Sequence, residues 1–234
     1  MREVELRQEQ AGKLERILAL TARGLKVVDA SRIDVRGELS FGSNVKVEVN
    51  VIFKGAVSLG DNVSVGANCI IEDSVIDADV TIMDFSTVSS ARIGAGSRVG
   101  PYARLRPGSR IGPSCQIGNF VEIKEATMGA GCKINHHSFI GNALLGEEVV
   151  IGAGSITCNH DGRGIQETFI ADRAYIGSGT LLIAPVRIGA SAVVGAGSTI
   201  TEDVPANMLA ICRTQAMVLK HRKHEKGGTK GDES

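Results

Sequence analysis

The chain has no tryptophan and only two tyrosines and six phenylalanines in 234 residues. A wide core built on large rings is excluded, and a narrow interior of aliphatic side chains is expected instead. Neither sign of charge dominates: 26 Lys and Arg balance 26 Asp and Glu, for a net charge of zero. That balance leaves no electrostatic case for a nucleic-acid partner. No stretch is long and apolar enough to span a membrane, and the N-terminus does not read as a secretory signal. Cysteine is sparse, at positions 69, 115, 132, 158 and 212, with no zinc-type spacing. An odd count without a signal peptide points to a reducing, cytoplasmic setting, with Cys69, Cys115 and Cys132 as packing thiols.

What is abundant is glycine, 29 residues in all, and a period. Ile93, Val99, Leu105, Ile111, Ile117 and Ile123 recur every six residues. The ladder extends upstream through Phe41, Val47, Phe53, Leu59, Val65, Ile71, Ile76, Ile82 and Val88. Downstream it takes in Met128, Ile134, Ile140, Leu145, Ile151, Thr157, Ile170, Ile176, Leu182, Ile188, Val194 and Ile200. Every member but Thr157 is apolar. A six-residue period is neither helical nor a plain strand alternation; it marks a hexapeptide repeat and an all-β parallel β-helix. The ladder groups into about nine triangular coils of three short strands. With stacked strands ~4.8 Å apart, these make a prism roughly 40 Å tall. A second inward column, two residues before each ladder position, must be small because three walls converge there. It reads Ala91, Ser97, Ala103, Ser109, Cys115, Val121 and Cys132. One step is long, from Leu145 to Ile170, so a loop leaves the prism after Thr157.

Three segments follow from this reading: an N-terminal linker helix in 1–26, a β-helix domain over 27–213, and a basic tail, 214–234, whose composition favours disorder. In the first, Leu6, Leu14, Ile17 and Leu18 can share a helical face, and Gly24 is a stop. The helix either caps the bottom coil or links the prism to a partner. Coils before residue 92 carry no chemical motif.

Candidate chemistry begins with Arg106 and Lys124. Each directly follows a ladder residue of a third strand, so they stack outward on one wall. Two stacked cations bind a phosphate or carboxylate between them, or are a solvated pair relieved by Glu122. His136 and His137 occupy the corner after Ile134, above Asn119 and below Ala153 and Gly154. A histidine there is either surface or a general base. Together with His160 the pair can be imagined as zinc ligands, but adjacent side chains diverge at a corner, which counts against one tetrahedral site. The inserted loop has Asn159 and His160 at its root and Arg163 near its tip; loops on a rigid scaffold commonly bind ligands. Ser178 and Ala196 continue the column of His136 and Ala153, leaving a groove for a long thin arm.

The segments LRPGSRIGPSCQIGNFVEIKEA, INHHSFIGNALLG, VVIGAGSITCNHDG, YIGSGTLLIAPVRIGA and VVGAGSTITEDVPANMLAICR resemble one family closely. It is the acetyltransferase half of the bacterial bifunctional N-acetylglucosamine-1-phosphate uridylyltransferase and glucosamine-1-phosphate N-acetyltransferase. The resemblance covers residues 25 to 213. It implies a left-handed β-helix, a homotrimer with sites between subunits, and acetyl-CoA as co-substrate. The activity it implies is N-acetylation of glucosamine-1-phosphate on the way to UDP-N-acetylglucosamine, peptidoglycan and lipopolysaccharide. By motif, His136 matches the general base, and Arg106 and Lys124 the sugar-phosphate binders, with Glu122 beside them. Ala153, Asn159, His160, Ser178, Ala196 and Arg213 fall where the family contacts acetyl-CoA. No metal site is implied.

The acceptor side departs from the pattern. Phe139 stands where the family has tyrosine, and Val150 where it has asparagine. Ile165 stands where it has a loop lysine, for which Arg163 is a candidate substitute. The uridylyltransferase domain is absent from this sequence, so a separate uridylyltransferase is a candidate partner. Two other classes remain beside the acetyltransferase: a non-catalytic paralogue that binds CoA or a sugar phosphate, and a metal-dependent enzyme of the carbonic anhydrase type.

Overall fold

The computed structural model describes residues 2–212, so Arg213 and the 214–234 tail lie outside the described residues. Its β-strands are almost all short and parallel, and each pairs with the strand one coil earlier and one coil later. One face of the prism is an 11-stranded sheet that starts at Lys26–Val27 and ends at Leu209–Ala210. The other two faces belong to a second sheet, because long strands such as Ile52–Leu59, Glu122–Met128 and Phe139–Leu145 bend across the corner between them.

Register follows the ladder. Val99 pairs with Ile117, Leu105 with Ile123, and Ile93 with Ile111. Each rung therefore places like side chains on top of one another, and all of the ladder is buried except Phe41, which is half-buried. Thr157, the polar exception, is buried with its hydroxyl satisfied. Its Oγ1 donates to the Gly141 carbonyl at 3.0 Å and accepts from the Gly141 amide at 2.8 Å. The small second column is buried throughout, as the converging walls require. The coil extends past both ends of the ladder: Val27, Val35 and Phe41 pair upward with Val47, Phe53 and Leu59, and Ala210 sits on Val194. The ladder from 41 to 200 thus understates the prism, because its terminal rungs use Val27, Val35, Val204 and Ala210 in a sequence less strictly periodic.

A helix, α1, runs over Arg2–Ala22 beneath the first coil. Gly24 ends it in the left-handed region at φ 109°, with its amide on the Thr21 carbonyl and that of Leu25 on Leu20. The buried contacts of α1 are Ile17 and Leu20, whereas Leu14 and Leu18 are exposed. The shared face expected from Leu6, Leu14, Ile17 and Leu18 is therefore corrected to a narrower one. A short amphipathic helix seated on a triangular coil buries only the stripe facing it; the Leu6 side chain lies outside the description. Arg16 anchors the helix by donating to the carbonyls of Val35 and Gly37.

Candidate functional site

Strand Arg104–Leu105 lies directly below the start of Glu122–Met128, which stacks Arg104 on Glu122 and Arg106 below Lys124. Glu122 is pinned between the arginines: its Oε1 is 2.7 Å from Arg106 Nη1 and its Oε2 is 3.8 Å from Arg104 Nη1. Lys124 has no ion-pair partner among the described residues. Three cations share one carboxylate, so this wall keeps a net positive charge. At roughly one-third exposure these groups are well enough solvated that their pairing is worth only ~1 kcal/mol or less. The pairing is therefore not a stability device, and the wall has positive charge left over.

The corner at one edge of this wall carries the histidines. His136 sits one coil above Asn119, and its Nδ1 lies 2.6 Å from Asn119 Oδ1. An amide oxygen only accepts, so Nδ1 carries a proton, and in the neutral imidazole the lone pair is then on Nε2. His137 is turned away. It adopts φ 47° and tilts over Phe120, ring centroids 4.9 Å apart, at the head of a rail of rings. Phe120 stacks on Tyr102, and Tyr102 on Phe85. All three aromatic residues hold a left-handed backbone, at φ 60° for Phe85, 55° for Tyr102 and 56° for Phe120. Above His137 the same column becomes Gly154, Gly179 and Gly197, with φ between 69° and 73°. A methyl group at any of these three glycines would meet nothing closer than 3.8 Å. So the rail of side chains stops at the histidines, and the corner above them is free of side chains at the glycine column. Ala153, Ser178 and Ala196 precede these glycines and stack with them coil on coil.

The other edge of the wall carries the inserted loop. Asn159 is half-buried at its root, and its main-chain carbonyl takes the Gln166 amide at 2.8 Å. His160 accepts the Gly162 amide through Nδ1. Asp161 caps the turn by accepting the amides of Arg163 and Gly164 at 2.8 and 2.7 Å. These amide bonds, that from Gly164 foremost, hold its carboxyl below the usual carboxylate range. Arg163 is exposed at the tip.

Phe139 shares the wall with Glu122, which is its neighbour one coil down. Its ring lies over Gly141, where an added methyl would come within 2.6 Å of Cζ. Val150 stands on the next face, between Lys133 and Tyr175. One chain therefore gathers Arg106, Glu122, Lys124 and Phe139 on a wall. It places His136, Ala153, Ser178 and Ala196 on one edge, and Asn159, His160 and Arg163 on the other. It does not bring Val150 to the anion wall. Neither the role of Asn119 as partner of His136 nor the ring rail is expected from the ladder spacing alone. Both are readable in hindsight as residues 17 or 18 apart, one coil step.

Curated relatives align with almost all of this. The bifunctional protein GlmU of Acidithiobacillus ferrooxidans is 46% identical over 213 residues, 91% of this chain and 47% of the relative. That of Methylococcus capsulatus is 45% identical over 217 residues, 90% of this chain and 47% of the relative. The chain belongs to the GlmU family, as its acetyltransferase half. It spans about half the length of the GlmU relatives it matches. A family model described as the GMPPB C-terminal domain matches residues 35–109, the lower coils. Among solved structures, the UDP-N-acetylglucosamine acyltransferase of Francisella novicida is 13% identical with TM-score 0.44, covering 80% of this chain and 64% of that one. The parallel β-helix expected from the six-residue period is the fold of this chain.

Proposed function

We propose that the protein transfers the acetyl group of acetyl-CoA to the amine of an amino sugar phosphate, glucosamine-1-phosphate or a close relative, in the synthesis of UDP-N-acetylglucosamine and envelope precursors. The observation that carries this reading is the position of His136. Its Nδ1 is fixed on Asn119, which leaves Nε2 as the ring nitrogen open to a reactant, at the corner directly below Ala153 and Gly154. The acyl-CoA arm lies along Ala153, Ser178 and Ala196, with Arg213 near its phosphates and Asn159 and His160 bordering it. Lys124 and Arg106 hold the acceptor's phosphate. His136 Nε2 takes a proton from the amine as the nitrogen bonds the thioester carbon. The tetrahedral intermediate then breaks its C–S bond, and the leaving thiolate takes the proton from the imidazolium. The amides of Gly154, Gly179 and Gly197 are spent on carbonyls one coil below. A backbone donor for the oxyanion therefore comes from the first corner residue, Ala153, whose amide makes no backbone bond among the described residues.

The two edges of the wall belong to different corners of one prism, so His136 and the loop complete one site only when a neighbouring copy supplies one of them. The active form is accordingly an oligomer, a trimer by family resemblance. Residues 27–213 form the catalytic unit, and α1 its attachment. The setting is cytoplasmic. No helix among the described residues is long and apolar enough to cross a membrane.

Phe139 on this wall, and Val150 brought to it on the face of a neighbouring copy, favour an acceptor less polar than glucosamine-1-phosphate at two contacts. Two missing hydrogen bonds at about 0.5–1.5 kcal/mol each lower affinity roughly ten- to hundredfold. The deciding experiment is a thiol-release assay with acetyl-CoA against a panel of amino sugars and their phosphates. Run beside it are His136→Ala, expected to lose about 10²–10⁴-fold in kcat, and the double variant Phe139→Tyr, Val150→Asn. Release with no acceptor in the panel would leave the protein a non-catalytic relative. Equal use of glucosamine-1-phosphate by wild type and double variant would restore the ordinary family acceptor.

A further inference from the structure

At the corner that the inserted loop leaves, three side chains stack one coil apart. Asn142 Nδ2 donates to Glu125 Oε2 at 2.6 Å, and Asn159 Nδ2 donates to Asn142 Oδ1 at 2.6 Å. Glu125 and Asn142 both hold the left-handed backbone, at φ 46° and 47°, which aims their side chains along the corner. An amide can in principle turn either end toward a neighbour, but a carboxylate only accepts. Asn142 must therefore meet Glu125 through its NH2 group, and its oxygen is turned up the ladder. That oxygen is satisfied only by the NH2 group of Asn159. Direction is passed up two coils, and the Asn159 carbonyl oxygen is left facing away from the ladder. The Asn159 amide also abuts the acceptor wall: a methyl group at Gly141 would lie 2.9 Å from its Nδ2, beside the Phe139 ring.

We propose that Glu125 and Asn142 are positioning residues that set the polarity of Asn159, so that it presents a hydrogen-bond acceptor to an N–H of the bound reactants. The inference rests on the acetyl-transfer reading. Two reactant groups share that chemistry: the attacking amine, and the amides of the coenzyme's pantetheine arm. Neither Glu125 nor Asn142 touches a reactant; both act through Asn159.

Reversing the polarity tests this. Glu125→Lys puts a donor at the foot of the ladder, which turns the Asn142 oxygen down and its NH2 up. Asn159 must then turn its own oxygen down and offer a donor to the site, where an acceptor is needed. The expected result is a fall of about tenfold or more in kcat/KM, with an unchanged melting temperature because Glu125 is exposed. The double variant Glu125→Lys, Asn142→Asp places a carboxylate between two donors. Asn159 regains its original direction, and activity is expected to return to within about threefold of wild type. A loss confined to kcat/KM for the amine, with CoA affinity by calorimetry intact, assigns the contact to the amine; weakened CoA affinity assigns it to the pantetheine arm. A single variant with full activity, or a double variant no better than the single, overturns the proposal. A second readout needs no turnover. In 15N-labelled protein the Asn159 side-chain amide, assigned with Asn159→Asp, should be protected from solvent exchange in wild type, exposed in Glu125→Lys and protected again in the double variant. If wild type neither binds CoA nor transfers acetyl, the function reading fails, while an exchange pattern indifferent to both substitutions refutes the polarity ladder itself.

Discussion

Filling the glycine groove separates binding from folding. Gly154→Phe would extend the ring rail by one coil, onto His137. The corner accepts such a residue: Phe85, Tyr102 and Phe120 already hold rings at φ 55–60°, and Gly154 has φ 73°. An added methyl at Gly154 meets nothing nearer than 3.8 Å, so no clash opposes the substitution. The left-handed backbone costs an L-residue about 1–2 kcal/mol. Stacking on the next ring returns about 0.5–1.5 kcal/mol. The difference, a net cost of no more than about 1.5 kcal/mol, predicts a melting temperature lowered by no more than about 6 °C for a chain of this size. The groove, in contrast, would be occupied by a ring where an acyl-CoA arm must lie. CoA affinity should fall about a hundredfold or more, since the arm loses roughly 3 kcal/mol of contact. Calorimetric titration with CoA and a thermal melt on the same preparation check both halves, with Gly154→Ala as a control for the backbone alone. Unaltered CoA affinity in a folded Gly154→Phe protein would show that the coenzyme does not use this corner.

Other outcomes follow from the same geometry. The Thr168 hydroxyl is fully buried with no partner, so Thr168→Val should raise stability by about 1 kcal/mol in chemical denaturation. Of the five thiols, only Cys212 is exposed, and burial pushes Cys69 up to about 11. Titration of native protein with a disulfide reagent at pH 8 should therefore show Cys212 reacting first and Cys69, Cys115 and Cys132 only after denaturation. The Asp161 carboxyl is held low by loop amides, so its contribution to loop closure is full above the ordinary carboxylate range and lost as pH falls through its depressed value. Loop proteolysis should accelerate only below about pH 4. Mixing His136→Ala chains with loop-deleted chains should restore part of the activity if neighbours share a site, whereas an active monomer by light scattering would refute shared sites.

The ladder was legible because burial in a triangular coil is a strictly local demand. Every sixth side chain points inward, so apolar residues such as Ile93, Ile117 and Ile134 must recur at that interval, and the long step after Leu145 could only be an insertion. The same step of 17 or 18 residues stacks Arg106 under Lys124 from spacing alone. The ends were less legible, because Val27, Val35 and Ala210 cap the prism without the full repeat, and α1 buries only Ile17 and Leu20. What the tertiary structure alone decided is how corner side chains meet. Whether His136 turns to Asn119 and His137 to Phe120, or the reverse, depends on which of the two adopts the left-handed backbone, a choice set by coil-to-coil hydrogen bonds. Likewise, Glu122 lies within reach of both arginines, and the Asn159 side chain turns to Asn142 while its main-chain carbonyl serves the loop. A repeat specifies which residues share a column; the direction of a hydrogen bond along that column is decided by the one member that can only accept.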